Sequence, residues 1–248
     1  MTPHALNPCF ERVVRAAEHL ADLRHWLLTT LRKQEDSIVC YFDSDPPYAL
    51  KAAAPDYPLP PMRIGVLIGE VCYNLRSALD YLVFELSKLD SGKAQEFTQF
   101  PIVGSPDKFR SWAKDARSKG LNSAHIAEFK SLQPYKGCNW TKILRDLSNM
   151  DKHREFANIG GSFGANAFAR GDPRFDRLSS PVRRTPHPVH GEMDVKVDFT
   201  GHILFVDGMP IVETLEIVKL GVAETLEEFK LGVAETLEEF KPDFASGR

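Results

Sequence analysis

The chain has 248 residues, of which 43% are hydrophobic and 26% are charged, and its formal net charge at pH 7 is −3. This length allows one large domain or two small ones, and it is enough to bury a core without disulfides or metal ions. A net charge so close to neutral provides no general electrostatic attraction to nucleic acids or membranes.

The cysteines and the apolar stretches limit the cellular setting. The four cysteines lie far apart and form no C-x-x-C pair, so free thiols in a reducing cytosol are expected rather than a zinc site or disulfides. The N-terminus carries no signal-peptide pattern, and charged residues interrupt the most apolar stretch, 64–86. We therefore expect a cytoplasmic protein without membrane contact, metal or cofactor.

The first half of the chain predicts helices and one short hairpin. Residues 5–33 have apolar side chains at helical spacing, and strand-like segments at 37–42 and 48–54 flank turn residues. Residues 62–89 predict a central helix that is enclosed by its neighbours, because its sides are apolar nearly all round. Its main stripe consists of Ile64, Ile68, Val71, Leu75, Leu79, Leu82 and Leu86.

The second half begins with an extended segment at 97–103, followed by predicted helices at 106–119, 123–132 and 139–156. Residues 160–191 are rich in glycine, proline and arginine, which favours a long loop whose arginines can contact phosphates. Alternating residues after 192 predict a β-hairpin that turns at Thr200-Gly201.

The predicted organisation is a single α+β domain, mainly a helical bundle with a small antiparallel β-sheet and a long C-terminal helix. The helical core takes up 5–159, the loop 160–191, and the hairpin and C-terminal helix 192–244.

The C-terminal segment contains an exact internal repeat. Residues 220–230 recur letter for letter as 231–241, which indicates a recent duplication or an engineered insertion. Because a period of eleven is close to three helical turns, the apolar residues stay on one stripe, and we predict a single helix of roughly 40 Å through Gly221 and Gly232. A stripe of that length is expected to extend beyond one domain face and to form a homodimer through this helix.

Two of the predicted helices place charged and amide groups where a helix normally buries carbon, which is costly unless the groups pair or serve a site. In the 62–89 helix, Glu70 and Asn74 share a polar face with Ser77 and Tyr81, and Arg76 and Asp80 stand four apart on its flank. In the 139–156 helix, the apolar stripe continues into charged residues. The candidate catalytic residues are His153, Arg76 and Arg154, and the candidate ligand-binding residues are Glu70, Asn74, Asp80, Asn149, Asp151 and Lys152.

These motifs resemble a family of bacterial and phage proteins that has no established activity. The matching residues are Gly69-Glu70, the segment NLRSALDYLV at 74–83, Phe100-Pro101-Ile102, Leu132-Gln133-Pro134-Tyr135 and the segment NMDKHR at 149–154. A fainter likeness connects the chain to HEPN-type helical bundles, which include metal-independent ribonucleases. Their signature is an Arg followed after four to six residues by a His, whereas Tyr81 stands at that distance from Arg76.

Three functions fit these residues. The first is a cytosolic protein whose polar site between the two motif helices binds an anionic or nucleotide-like ligand. The second is a HEPN-like ribonuclease that acts on RNA, with His153 as general acid or base and Arg76 or Arg154 stabilising phosphate charge. The third is a structural module in which Asp80 and Arg76 pair with Asp151 and Arg154 as a buried ionic clamp.

Overall fold

The computed structural model describes residues 6–53, 60–152, 159–205 and 207–239; for 151–152 and 231–239 it describes the backbone alone. The described residues form an α+β fold that is mostly helical, with two small antiparallel sheets, and the predicted fold class is confirmed. The helices are α1 (Asn7–Asp36), α2 (Met62–Ser91), α3 (Pro106–Trp112), α4 (Ser123–Ser131), α5 (Asn139–Lys152) and α6 (Ile211–Glu239). The strands are β1 (Val39–Phe42), β2 (Leu50–Ala53), β3 (Gly160–Ala169), β4 (Arg183–His187) and β5 (Gly191–Leu204).

The chain groups into two compact units, each assembled from separate parts of the sequence. Unit 1 takes in the described parts of Met1–Asp22, Arg63–Ala157 and Val212–Arg248, and unit 2 those of Leu23–Met62 and Asn158–Ile211. The single domain expected from the sequence stays a prediction.

The helix α2 forms the centre of unit 1. All seven residues of its predicted stripe are at most 1% exposed, and Cys72, Ala78 and Val83 are buried on its other sides. The predicted stripe is therefore confirmed, whereas the prediction of a helix enclosed nearly all round is wrong, because Tyr73 and Tyr81 on its other sides are 59% and 40% exposed. Gly92, at a φ of 73°, follows its last residue and allows the left-handed turn that ends it.

The helix α6 is a single helix that continues past both Gly221 and Gly232, as the eleven-residue period predicted. In its described part, the predicted stripe is buried in unit 1; its members are Leu215, Val218, Val222, Leu226 and Phe229. The side chains beyond residue 230 lie outside the described part, so the homodimer stays a prediction. Within the described ranges, no helix is both long enough and apolar enough to cross a membrane.

Unit 2 contains both sheets. The strands β1 and β2 pair antiparallel, as the sequence predicted, and β5 lies between β3 and β4 in a three-stranded antiparallel sheet. The expectation of a long loop at 160–191 is therefore wrong, because β3 and β4 pair with β5 over most of their length. The strand β3, with the sequence GGSFGANAFA, lacks the β-branched residues that signal a strand, and its many small residues obscure the alternation.

The predicted hairpin turn at Thr200-Gly201 is also wrong, because β5 runs through both residues and Gly201 pairs with Phe163 of β3. A Cβ at Gly201 would lie 2.2 Å from Leu31 Cδ2 and 2.7 Å from Phe163 Cδ1. The glycine is thus required for close packing within the strand and not for a turn.

The arginines of 160–191 are largely engaged within unit 2. Arg170 pairs with Asp194 at 2.8 Å, and Arg174 pairs with Asp172 at 2.7 Å. Arg183 donates one hydrogen bond to the carbonyl of Glu35, in the last turn of α1, and another to the carbonyl of Ile38, which follows that helix. These contacts give the arginines partners in the protein and do not single out a phosphate site.

Candidate functional site

A polar cleft of about 270 Å³ lies in unit 1, where the two motif helices α2 and α5 contribute to the same wall. Its residues come from three segments. They are Cys72, Tyr73, Arg76 and Asp80 of α2, Gln99 and Ile102 of the extended segment, and Arg145, Ser148 and Asn149 of α5. Of the nine predicted site residues, the structure thus brings Arg76, Asp80 and Asn149 to one cleft.

Arg76 and Asp80 hold the main chain of Phe100 between them. The Arg76 guanidinium donates to the Phe100 carbonyl, and the Phe100 N–H donates to Asp80 Oδ1 at 2.8 Å. The two side chains lie one helical turn apart on α2, with Arg76 Nη2 3.5 Å from Asp80 Oδ1. The aromatic ring of Phe100 is 1% exposed, so these side chains satisfy polar groups beside a buried anchor.

Gln133 extends this network along the same segment. Its amide nitrogen donates to the carbonyls of Pro101 and Phe129, both at 2.8 Å, and its Oε1 accepts from the N–H of Val103 at 3.0 Å. The side chain is fully buried. The residues that carry the family resemblance at Phe100-Pro101-Ile102 and Gln133 therefore meet in one hydrogen-bond network.

Arg145 brings a second guanidinium to the cleft from α5. Its Nε and Nη2 donate to Asp146 Oδ1 at 2.9 and 2.8 Å, and its side chain is 30% exposed. The neighbouring hydroxyl of Ser148 donates to the carbonyl of Leu144 at 2.6 Å, whereas Asn149 is exposed. The cleft thus combines two guanidinium groups with one carboxylate, that of Asp80, and several neutral polar groups.

The electrostatics of Arg76 distinguish it from a surface arginine. Burial lowers the pKa of Arg76 below its usual range, and the charge and hydrogen bond of Asp80 offset part of that effect. The guanidinium remains protonated, because an arginine in a protein does not lose its proton. Because burial disfavours the charged form, an additional anion in the cleft would stabilise this guanidinium.

Asn74 and Glu70 lie away from the lining of this cleft. Asn74 is 3% exposed, its Nδ2 donates to the Glu70 carbonyl at 2.8 Å, and its Oδ1 accepts from Arg12 of α1 at 3.2 Å. The Glu70 side chain is exposed. The sequence predicted a cleft along the face of α2 that carries Glu70, Asn74, Ser77 and Tyr81. The observed cleft lies instead along the neighbouring face, which carries Tyr73, Arg76 and Asp80.

Arg12 connects this region to the mouth of the cleft. Its guanidinium carbon lies 5.9 Å from the centroid of the Tyr73 ring and 5.6 Å from that of Tyr81, within the range of cation–π contacts. Tyr73 is 59% exposed and also lines the cleft. Arg12 thus stabilises the orientation of an aromatic ring that faces both solvent and cleft.

The remaining predicted residues are Asp151, Lys152, His153 and Arg154. The backbone of Asp151 and Lys152 is helical, but their side chains lie outside the description, and His153 and Arg154 lie outside the described residues altogether. The predicted contact of Arg76 or Asp80 with Asp151, His153 or Arg154 stays a prediction.

Sequence reasoning missed Arg145, Gln99 and Tyr73. Arg145 stands four residues before Asn149, so helical spacing already placed it on the face that was assigned to the site. Gln99 adjoins the motif Phe100-Pro101-Ile102, but no local pattern shows that this segment lies against α2. Such a contact is a property of tertiary packing.

Within the described ranges, no group of three or more His, Cys, Asp or Glu side chains is arranged to hold a metal ion. The cleft itself offers guanidinium, carboxylate, amide, hydroxyl and aromatic groups. No protein-family model, curated protein or solved structure matches this chain.

Proposed function

We propose that this is a cytosolic binding protein whose cleft between α2 and α5 takes a small anionic, nucleotide-like ligand. The observation that carries the proposal is the convergence of Arg76 and Arg145, from two different helices, on one cleft of about 270 Å³. Guanidinium groups bind phosphate and carboxylate oxygens through charge-assisted, often bidentate hydrogen bonds.

Both guanidinium groups are fixed by contacts with other groups of the protein. Arg76 is fixed by the Phe100 carbonyl and Asp80, and Arg145 by Asp146. Fixing a charged side chain before binding reduces the entropy that a ligand must remove from it. An anion beside Arg76 would also offset the burial that lowers the pKa of this guanidinium.

The other groups favour a ligand with an aromatic part. Tyr73 offers a half-exposed ring for stacking, an interaction worth about 1–3 kcal/mol per base in single-stranded nucleic-acid complexes. Gln99, Ser148 and Asn149 add donors and acceptors for the edge of a base or for a ribose. The volume lies below the usual range of about 300–1,000 Å³ for ligand pockets, which favours a mononucleotide over a larger cofactor.

The test is a thermal-shift series with inorganic phosphate, AMP and adenosine. A ligand that binds only the folded state raises the melting temperature. We expect AMP to give the largest shift, phosphate a smaller one, and uncharged adenosine the smallest. Equal shifts from AMP and adenosine would show that the two arginines do not bind the phosphate group.

A second candidate is a structural module, and the grip of Arg76 and Asp80 on Phe100 favours it. In that case the motif residues stabilise the fold, and the cleft needs no ligand. The observed contact differs from the predicted ionic clamp, because Arg76 and Asp80 bind the main chain of Phe100, whereas the prediction paired them with Asp151 and Arg154. This candidate predicts that no member of the ligand series changes the melting temperature.

A third candidate is a metal-independent ribonuclease of HEPN type, to which the motif resemblance points. The supporting observation is that Asn149, four residues before His153 in the sequence, lines the cleft with Arg76. His153 would act as general acid or base, and Arg76 or Arg154 would stabilise the phosphate charge. Cleavage of single-stranded RNA in the presence of EDTA, lost in His153→Ala, would establish it. RNA left intact would exclude it.

A further inference from the structure

The first repeat copy, residues 220–230, fills a groove of unit 1, which we call the repeat groove. Val222 and Leu226 are fully buried there, and Phe229 is 6% exposed. The Phe229 ring lies 5.2 Å from that of Phe129 and 5.9 Å from that of His125, measured between centroids. The groove therefore recognises the apolar stripe of this copy.

The repeat groove also requires glycine at one position. A Cβ at Gly221 would lie 2.3 Å from Trp140 Cγ and 2.4 Å from its Cδ1, so a side chain here would force the indole ring or the helix to shift. At the other end of the copy, Lys230 Nζ lies 5.1 Å from the centroid of the Phe10 ring. The groove thus contacts a defined sequence that extends from Gly221 to Lys230.

Every residue that the groove contacts occurs again eleven positions later. The second copy supplies Gly232, Val233, Leu237, Phe240 and Lys241 at the equivalent places. Eleven residues advance a helix by about 16 Å and rotate it by about 20° beyond three full turns, so the stripe keeps its direction.

We infer that the repeat groove accepts either copy, so that the C-terminal helix has a second register in which 231–241 replaces 220–230. No other occupant matches the groove so completely, since the two segments are identical. In the second register, the segment that connects Pro210 to the groove contains eleven more residues than in the observed register.

Packing upstream of the groove explains why the observed register is preferred. If the whole helix slid by eleven residues, Phe229 would take the place of Val218, which is fully buried. Ala223 would take the place of Val212, which is 6% exposed. The first change overpacks the core and the second leaves a cavity. Glu228 would replace Ile217, which is half exposed and accepts a charged residue.

The variant Gly221→Leu separates the two registers. In the observed register its side chain collides with Trp140, whereas in the second register Gly232 occupies that position and residue 221 has left the groove. We expect the variant to stay folded with a modest loss of melting temperature. The matched variant Gly232→Leu should leave the observed register intact.

A single-copy chain provides the control, because deleting 220–230 or 231–241 yields the same sequence. Without a second copy, Gly221→Leu has no alternative, and we expect a melting temperature lower by about 10 °C or more. The double variant Gly221→Leu/Gly232→Leu should behave in the same way. Equal destabilisation of Gly221→Leu in the two-copy and single-copy chains would overturn the inference.

Crosslinking identifies the register directly. Glu128 and Glu228 are exposed and line one small cavity, and Glu239 is the repeat equivalent of Glu228. With Cys40 and Cys138 changed to serine, Glu128→Cys is combined with Glu228→Cys or Glu239→Cys, treated with a short bismaleimide, and mapped by mass spectrometry.

We expect the 128–228 link in the parent protein and an intrachain 128–239 link in Gly221→Leu. Retention of the 128–228 link in Gly221→Leu, or a 128–239 link found only between two chains, would overturn the inference.

Discussion

The main-chain N–H of Phe100 donates a hydrogen bond to the Asp80 carboxylate at 2.8 Å, from a residue whose ring is buried in unit 1. Asp80→Ala removes this acceptor and the carboxylate beside Arg76. We expect the free energy of unfolding to fall by about 2 kcal/mol, because a buried donor loses its partner. Urea denaturation measures it.

The control for this variant is Asp107→Ala, which removes an exposed partner of Arg110. It should cost at most about 0.5 kcal/mol. A loss of the same size in both variants would mean that the Asp80–Phe100 bond contributes no more than a surface ion pair.

Gln133→Leu tests the other end of the extended segment. The substitution removes three hydrogen bonds from a fully buried amide and leaves the N–H of Val103 without its observed acceptor. We expect a loss of about 3 kcal/mol in the free energy of unfolding. Gln95→Leu is a suitable comparison, since among the described residues its side chain makes a single hydrogen bond, to Ser91 Oγ at 2.9 Å. If both variants are equally stable, the Gln133 network does not hold the segment.

The stability of the protein should fall at alkaline pH because of Cys9. Burial, assisted by the charge of Glu85, raises the pKa of this thiol to about 12, against an ordinary value of 9.0. Since the unfolded chain releases the proton first, the contribution of Cys9 is complete below pH 9 and is lost as the pH rises toward 12. The slope approaches about 1.4 kcal/mol per pH unit.

Urea unfolding on either side of pH 9 tests this, with Cys9→Ala and Cys138→Ala compared with the parent protein. The alkaline decline should be shallower in Cys9→Ala alone. An identical decline in all three proteins would show that the Cys9 thiol does not govern it.

The predicted homodimer depends on the second repeat copy. Deleting 231–241 leaves all the buried residues of the first copy in place, so the variant should fold. If the second copy forms the interface, light scattering will give a dimer mass for the parent and a monomer mass for the variant. The same mass per chain in both proteins would show that the second copy is not an interface.

Local periodicity was enough to predict α2 and α6, whereas the helix predicted at 106–119 ends at Trp112. The α2 stripe from Ile64 to Leu86 is buried as its spacing indicated, and α6 passes Gly221 without a turn because its eleven-residue period keeps one stripe inward. A helix reports its buried face through residues three and four apart, which the sequence displays directly.

The strands β3 and β5 could not be predicted in this way. The pair Thr200-Gly201 has the composition of a turn, whereas Gly201 makes room for Leu31 and Phe163, which are distant in the sequence. The candidate site was predicted in part for the same reason. Helical spacing identified Arg76 and Asp80, but their contact with Phe100 and the approach of Arg145 depend on tertiary packing.

The central claim is that Arg76 and Arg145 bind an anion in the cleft. The most direct test is calorimetric titration of AMP into the parent protein, Arg145→Gln and Arg110→Gln. Arg145 lines the cleft without contributing to the grip on Phe100, and Arg110 pairs with Asp107 on an exposed surface.

Loss of one charge-assisted contact costs about 1.5–3 kcal/mol, so we predict that Arg145→Gln weakens AMP binding by about 10-fold or more. The Arg110→Gln variant should bind AMP as the parent does. Equal affinities in all three proteins, or no measurable binding to the parent, would contradict the account.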